Sequence, residues 1–255
     1  MIKNTHIKQH LKQQPKPQPK QKQQLKQQLK QQSKQTQPIE EIILKNGKTM
    51  VDINRLNNLA NSIKKFRESK TPYSFVECGV AQGGCLAFMK HCLVSYNQNG
   101  HKIFGFDSFE GMPSVSKEDC PEVFDGAAGD PSKWVGYNCS KYGEQAVHDT
   151  FKLLNLPMDN VFIVKGYFEN TLEKHIDNIG EIAVLRLDND WYSSTKYCLE
   201  LLYDKVIKGG VILIDDYGAF DGCKKAVDEF REKNNITSPI KVTNQRNEHY
   251  WYKGN

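Results

Sequence analysis

The sequence predicts an α/β protein of the doubly wound, Rossmann-like kind: a mostly parallel sheet with helices on both faces. Three observations predict it. From Pro72 onward, short apolar runs alternate with helical stretches, the pattern of strands joined by crossover helices. The first apolar run ends in a glycine-rich turn, Gly79-Val80-Ala81-Gln82-Gly83-Gly84, that enters a helix. Three later runs end in acidic residues, where open parallel sheets hold their ligands.

The N-terminus stands apart. Met1–Pro38 holds 13 Gln, 9 Lys and 4 Pro, with no Asp, Glu, aromatic or Cys. So polar a segment cannot bury enough to offset the entropy of ordering, so residues 1–38 are expected to form a disordered tail. The tail carries +9 and the remaining 217 residues carry −4, so the basic character belongs to the tail and not to a nucleic-acid-binding domain. A weak contact with an anionic polymer through the tail is one reading, and an extension with no specific partner is the other.

Residues 39–71 read as an N-terminal helical lid or cap. Ile53, Leu56, Leu59, Ile63 and Phe66 recur at helical spacing, with Asp52 as N-cap and Pro72 beyond the end. The domain proper then spans 72–255. Its strands are expected at Tyr73–Cys78, Lys102–Phe106, Val161–Lys165, Ile182–Leu187 and Val211–Ile214, with Gly209-Gly210 turning the chain into the last. Helices are expected at Gly84–Tyr96, Glu144–Leu154, Ser194–Val206 and Phe220–Lys233, and short strands at Pro239–Val242 and His249–Tyr252.

Several classes drop out. No apolar stretch approaches the roughly 20 residues of a spanning helix, and no apolar segment follows the N-terminal lysines to make a secretory signal. The seven cysteines are scattered with no CxxC, which disfavours a disulfide scaffold or structural zinc. A reducing, cytoplasmic or otherwise intracellular setting is expected. Nothing in the pattern specifies an oligomer, and a homo-oligomer is compatible with it.

The acids carry the chemistry. Glu77 stands two residues before Gly79, where a dinucleotide pyrophosphate would be repelled. An acid beside a glycine turn suits a cationic ligand without phosphate, and S-adenosylmethionine, with its sulfonium and ammonium groups, is such a ligand. Asp107, 23 residues past Gly84 and followed by Ser108, is placed to accept ribose hydroxyls. The fourth strand ends in Asp188-Asn189-Asp190 and the fifth in Asp215-Asp216. Alternation sends Asp188 and Asp190 to one side. Carboxylates crowded at adjacent strand ends need a cation, and oxygen-only ligands suit Mg²⁺ or another hard divalent ion rather than zinc.

At these residues the sequence resembles the macrocin O-methyltransferase family, metal-dependent class I methyltransferases that modify sugar hydroxyls. The resemblance runs from about Thr49 to Tyr252 and is carried by Phe75–Val80 with Gly83-Gly84, Asp107–Pro113, Lys165–Phe168, Val184–Thr195 and Asp215–Gly218. It implies the class I methyltransferase form of the fold, with a C-terminal antiparallel strand. It also implies that Glu77, Gly79, Val80, Gly83, Gly84, Asp107, Ser108, Gly166 and Phe168 hold the cofactor. Asp188, Asp215 and Asp216 match the metal ligands. Asp190 is the implied general base, with Asp188 beside it in the catalytic pair, and Thr49-Met50 part of a mobile lid. The segment Ser114–Tyr142 departs from the sugar-modifying pattern, so the acceptor is expected to be a sugar or another small polyhydroxylated molecule. His148 is a second base candidate. The rival reading is a non-catalytic binding module of the same fold attached through its basic tail, and intact acids at 188, 190, 215 and 216 argue against it. A nicotinamide-dependent enzyme is disfavoured by Glu77 and the missing GxGxxG.

Overall fold

The computed structural model describes residues 37–137, 143–243 and 247–254. The tail expected to be disordered lies, up to residue 36, outside the described residues, as does Cys139.

Seven strands form one sheet: β1 (Ser74–Cys78), β2 (Lys102–Asp107), β3 (Val161–Lys165), β4 (Ile182–Leu187), β5 (Val206–Ile214), β6 (Lys241–Val242) and β7 (His249–Tyr252). Their order is β3-β2-β1-β4-β5-β7-β6. The first five are parallel and β7 runs antiparallel to β5. Strand order therefore reverses between β1 and β4, and the crevice that open parallel sheets offer ligands lies there.

Two apolar layers cover the sheet. On one face α3 (Gly84–Ser95) is buried almost all round, because α1 (Ile39–Lys45) and α2 (Ile53–Lys64) pack over it through Ile43, Leu56, Leu59 and Ile63. On this face too α4 (Gln145–Leu153) contributes Val147 and Phe151. The other face is covered by α5 (Phe168–Ile179), α6 (Tyr192–Leu202) and α7 (Asp221–Lys233), with Leu172, Leu199 and Val227 inward. Asp52 caps α2, its Oδ1 accepting from the N–H groups of Asn54 and Arg55. Residues 39–255 make up one compact unit, and the expected lid segment is packed into it.

The structure differs most from the expected elements in four places, and the strand expected at Pro239–Val242 is reduced to Lys241–Val242. A helix over Phe168–Ile179 was not expected, although Phe168, Leu172, Ile176 and Ile179 follow helical spacing. The residues Ile39–Lys45 form a helix of their own. The helix expected at Ser194–Val206 begins at Tyr192 and ends at Leu202, followed by a single 3-10 turn at Tyr203–Lys205. Finally, Gly209-Gly210 do not precede β5 but lie inside it. Ile182 pairs with Val206 and Val184 with Val211, so the glycines sit in an irregularity where β5 has extra residues. Gly209, at φ +77, still bonds across to the residue that follows β7, donating to the Lys253 carbonyl.

Candidate active site

The parallel ladders run past the strand ends and gather the chemistry there. The Gly79 N–H donates to the Phe106 carbonyl (2.8 Å), Asp188 to Cys78 (2.8 Å), Asp215 to Leu187 (2.9 Å) and Gly166 to Asp107 (2.9 Å). A cavity of about 460 Å³ opens over these ends. It is lined by Gly79, Asp107, Ser108 and Phe168 on the β1–β3 side, and by Asp188, Asp190, Asp215 and Asp216 on the β4–β5 side. Gly79 is the hinge between the halves. At φ +88, any Cβ there would lie 1.8 Å from the Asp188 carbonyl oxygen, so only glycine lets β1 and β4 close up.

Of the remaining expected cofactor residues, Val80, Gly83, Gly84 and Gly166 do not line the cavity. Gly84 is where the lid segment docks: its N–H donates to the Lys48 carbonyl (3.0 Å), and a Cβ would come within 2.4 Å of that oxygen. Glu77 also stays away from the cavity. It pairs across the sheet with Arg186, Oε1 accepting from Nη1 at 2.8 Å, and both side chains are 2% exposed. Burial pushes the Glu77 carboxyl up to about 8.

Asp107 is held tightly. Its Oδ2 accepts from the N–H groups of Val80 and Ala81 (both 2.8 Å), and its Oδ1 from Phe109 (2.7 Å). Three of about four acceptor directions on the carboxylate are thus used, leaving roughly one for a ligand. Asp107 therefore sets the glycine turn as well as facing the cavity, and Asp107→Ala is expected to cost on the order of 3 kcal/mol of stability by orphaning these donors. Urea unfolding of the variant with and without cofactor checks this, because a residue serving only the ligand would leave the ligand-free protein unchanged.

The acid cluster has counter-ions that the sequence reading missed. Arg186, in the otherwise apolar β4, reaches Asp188 Oδ2 (2.8 Å) and Asp215 Oδ1 (2.6 Å) as well as Glu77. Arg55 from α2 reaches the other oxygen of Asp215 (2.7 Å). Even so, acids outnumber bases. Burial, then the neighbouring Asp188 charge, pushes Asp215 up, with Arg186 and Arg55 opposing. Burial, then Asp190, pushes Asp216 well above the ordinary carboxylate range. Asp190 rises for the same reasons, burial first and Asp188 next.

Asp190 reaches the cavity by a route other than strand alternation. It lies beyond β4 with φ +62, and the Trp191 N–H donates to the Asn189 carbonyl at 2.6 Å across it. This tight three-residue turn is strained for a non-glycine residue. It is pinned by the Asp190 N–H donating to Asp216 Oδ2 (3.1 Å) and by the Trp191 Nε1–H donating to the Pro113 carbonyl (3.0 Å). His148, the second base candidate, is exposed on α4 and does not line the cavity, which removes it from the site.

Asp188, Asp215 and Asp216 each offer a carboxylate oxygen within 4.8 Å of the others. An all-oxygen, anionic donor set of this size fits one hard divalent cation. The far wall is apolar and comes from the long connection after β2. Trp134 packs edge-on against Phe220 (6.1 Å) and Tyr137 (5.6 Å), with Met112 and Ala128 beside them. The N–H groups of Ala127 and Ala128 tie that connection to the carbonyls of Gly218 and Ala219. Met50 and Val51 of the lid segment close the rim.

Just outside the cavity, Glu248 is buried and accepts from Asn58 Nδ2 (2.8 Å). Burial pushes its carboxyl up to about 7, against about 4.3 in the unfolded chain. Between those values the folded protein holds a proton that the unfolded chain has released. Its contribution to stability is therefore complete below about pH 4.3 and is lost as pH rises through 7. Glu248→Gln should match the unaltered protein at pH 4 and exceed it at pH 8 by on the order of 3 kcal/mol in urea titrations. A slope of the same sign from Glu77 should remain.

The macrocin-O-methyltransferase (TylF) family model matches residues 1–253. The demethyldecarbamoylnovobiocin O-methyltransferase of Streptomyces niveus is 33% identical over 210 residues, covering 82% of this chain and 76% of that protein. The 8-demethyl-8-(2,3-dimethoxy-alpha-L-rhamnosyl)-tetracenomycin-C 4'-O-methyltransferase of Streptomyces olivaceus is 34% identical over 199 residues, covering 75% and 70%. Among solved structures, the O-methyltransferase NovP superposes with a TM-score of 0.68 at 31% identity, over 81% of this chain and 82% of that one. The strand order, the carboxylates gathered at the β4 and β5 ends and these matches agree: the chain is an S-adenosylmethionine-dependent O-methyltransferase belonging to the macrocin-O-methyltransferase family.

Proposed function

We propose that the chain methylates a hydroxyl of a sugar or other small polyhydroxylated acceptor with the help of a divalent cation, Mg²⁺ being the natural choice. The observation that carries this reading is the grouping of Asp188, Asp215 and Asp216 with Asp190 on the same cavity as Gly79 and Asp107. When bound, S-adenosylmethionine supplies an electrophilic methyl carbon, and the cation supplies a Lewis acid that eases loss of the hydroxyl proton.

The chain's own residues do the rest. Gly79, Asp107, Ser108 and Phe168 hold the adenosine portion on the β1–β3 side. Asp188, Asp215 and Asp216 hold the cation on the β4–β5 side. Asp190, which lines the same cavity, takes the hydroxyl proton. Trp134, Phe220 and Met112 give the acceptor an apolar face to rest on and keep water from the transfer. Because methyl transfer needs an in-line approach, a shared wall between the two halves supplies much of the rate through alignment.

The relative whose name mentions a rhamnosyl group supports a glycosylated acceptor. The test is to measure S-adenosylhomocysteine binding by calorimetry and then screen hydroxylated glycosides by mass spectrometry for gain of one methyl group. Binding of NAD in place of the sulfur cofactor would overturn the reading. Asp190→Asn is expected to lower turnover about 10²–10⁴-fold, the range for losing a general base, while cation binding measured by calorimetry stays intact. Loss of cation binding in that variant would move Asp190 from base to ligand.

A further inference from the structure

Each oxygen of Asp215, one of the three proposed cation ligands, accepts from an arginine. Arg186 holds Oδ1 at 2.6 Å and Arg55 holds Oδ2 at 2.7 Å. The two arginines differ in how free they are to let go. Arg186 is 2% exposed, fixed in β4 and bonded to three carboxylates at 2.6–2.8 Å. Arg55 is 12% exposed, lines the cavity and sits in the first turn of α2. If Arg55 releases Asp215 it keeps two other partners: its Nε donates to Asp52 Oδ2 (3.0 Å) and its Nη2 to the Met50 carbonyl (3.2 Å). Those partners belong to the segment that rims the cavity, where Met50 is largely exposed and touches the Tyr137 hydroxyl through its sulfur (3.8 Å).

We propose that Arg55 is a positioning residue that stands in for the cation on Asp215, so that cation binding releases Arg55 and loosens or re-seats the Lys48–Arg55 segment over the cavity. The inference rests on the cation reading above. It follows from charge and geometry. Glu77, Asp188, Asp190, Asp215 and Asp216 face only Arg55 and Arg186 as neighbouring bases in the described cluster, and only Arg55 can yield its place without breaking the sheet. The Arg55 guanidinium fills one of the two acceptor directions on the Asp215 oxygen it holds and repels a cation brought beside it, so the two compete for Asp215. Linkage then requires that whatever holds Arg55 on Asp215 weakens cation binding by the same factor as the cation weakens Arg55's hold.

The test is Mn²⁺ titration by calorimetry on the full chain, for the unaltered protein, Arg55→Met and Arg55→Lys, with hydrogen exchange of the peptide covering residues 48–58 read with and without Mn²⁺. Arg55→Met removes the competitor and a positive charge while keeping the stem, and is expected to bind Mn²⁺ about tenfold or more tightly. Arg55→Lys, which keeps the charge, should stay near the unaltered affinity. Mn²⁺ should speed exchange over 48–58 in the unaltered protein and leave it unchanged in Arg55→Met, where the segment is already released. A purely structural role for Arg55 predicts the opposite sign, weaker or equal Mn²⁺ binding in Arg55→Met, and that result overturns the proposal while leaving the cation site standing. If the unaltered protein binds no Mn²⁺, both fall.

Discussion

Asp215→Asn is expected to reduce methyl transfer by about 10³-fold, the loss that accompanies several kcal/mol of removed charge stabilisation. The substitution keeps the shape and one acceptor oxygen but removes a charge from the group that Asp188 and Asp216 complete. Cofactor affinity should change little, since Gly79, Asp107 and Phe168 lie toward β1–β3 and Asp215 at the end of β5. The melting temperature should be measured alongside, because Arg186 and Arg55 both lose an ionic partner. An Asp215→Asn protein that folds, binds cofactor and retains more than about a tenth of its turnover would show that this oxygen is not needed for the chemistry; one tenth corresponds to about 1.4 kcal/mol.

The largest effect on stability is expected from Arg186→Leu. Arg186 is fully packed, and its removal leaves Glu77, Asp188 and Asp215 close together without their shared guanidinium. Breaking a buried ion pair by removing one partner costs roughly 3–5 kcal/mol, and three carboxyl groups are left here. The sign with pH is definite: the loss should shrink as pH falls and the acids take up protons, and grow toward pH 8. Saturating Mg²⁺ should restore part of the melting temperature, since a cation bound only to the folded state stabilises it by mass action. Equal destabilisation at pH 5 and pH 8 would mean that Arg186 matters through packing alone.

Most of the scaffold was legible because the sheet writes itself in apolar runs. Phe75–Cys78 and Ile182–Leu187 are buried on both faces, and the acids that follow each run mark the strand ends without ambiguity. The glycine turn was legible for the same reason, since Gly79 cannot carry a side chain against Asp188. The counter-ions were not. Arg186 did carry a signal, a lone charge inside an apolar strand, and Glu77 beside it in register could have been paired with it. Arg55 carried none: its partner lies 160 residues away, and nothing local distinguishes it from a solvated helical arginine. Glu77 adjoins a glycine turn, which points to the cofactor, but alternation along β1 sends its side chain into the sheet's α3-side layer and away from the cavity. Asp190 lines the cavity, but strand alternation alone does not send it there. Its direction is set by a strained turn, and backbone sign is invisible in a non-glycine residue. The bulge at Gly209-Gly210 was hidden because paired glycines mark turns and strand irregularities alike.

The proposed function requires a cation at Asp188, Asp215 and Asp216, whose carboxylate oxygens lie within 4.8 Å of one another. The measurement that reaches it most directly is single-enzyme methyl transfer to a hydroxylated glycoside accepted in the screen, before and after exhaustive chelation, with Mg²⁺ then returned. Chelation is expected to abolish transfer while S-adenosylhomocysteine still binds, and Mg²⁺ to restore the rate. Full turnover in excess chelator, with no cation bound at the three carboxylates, would contradict it.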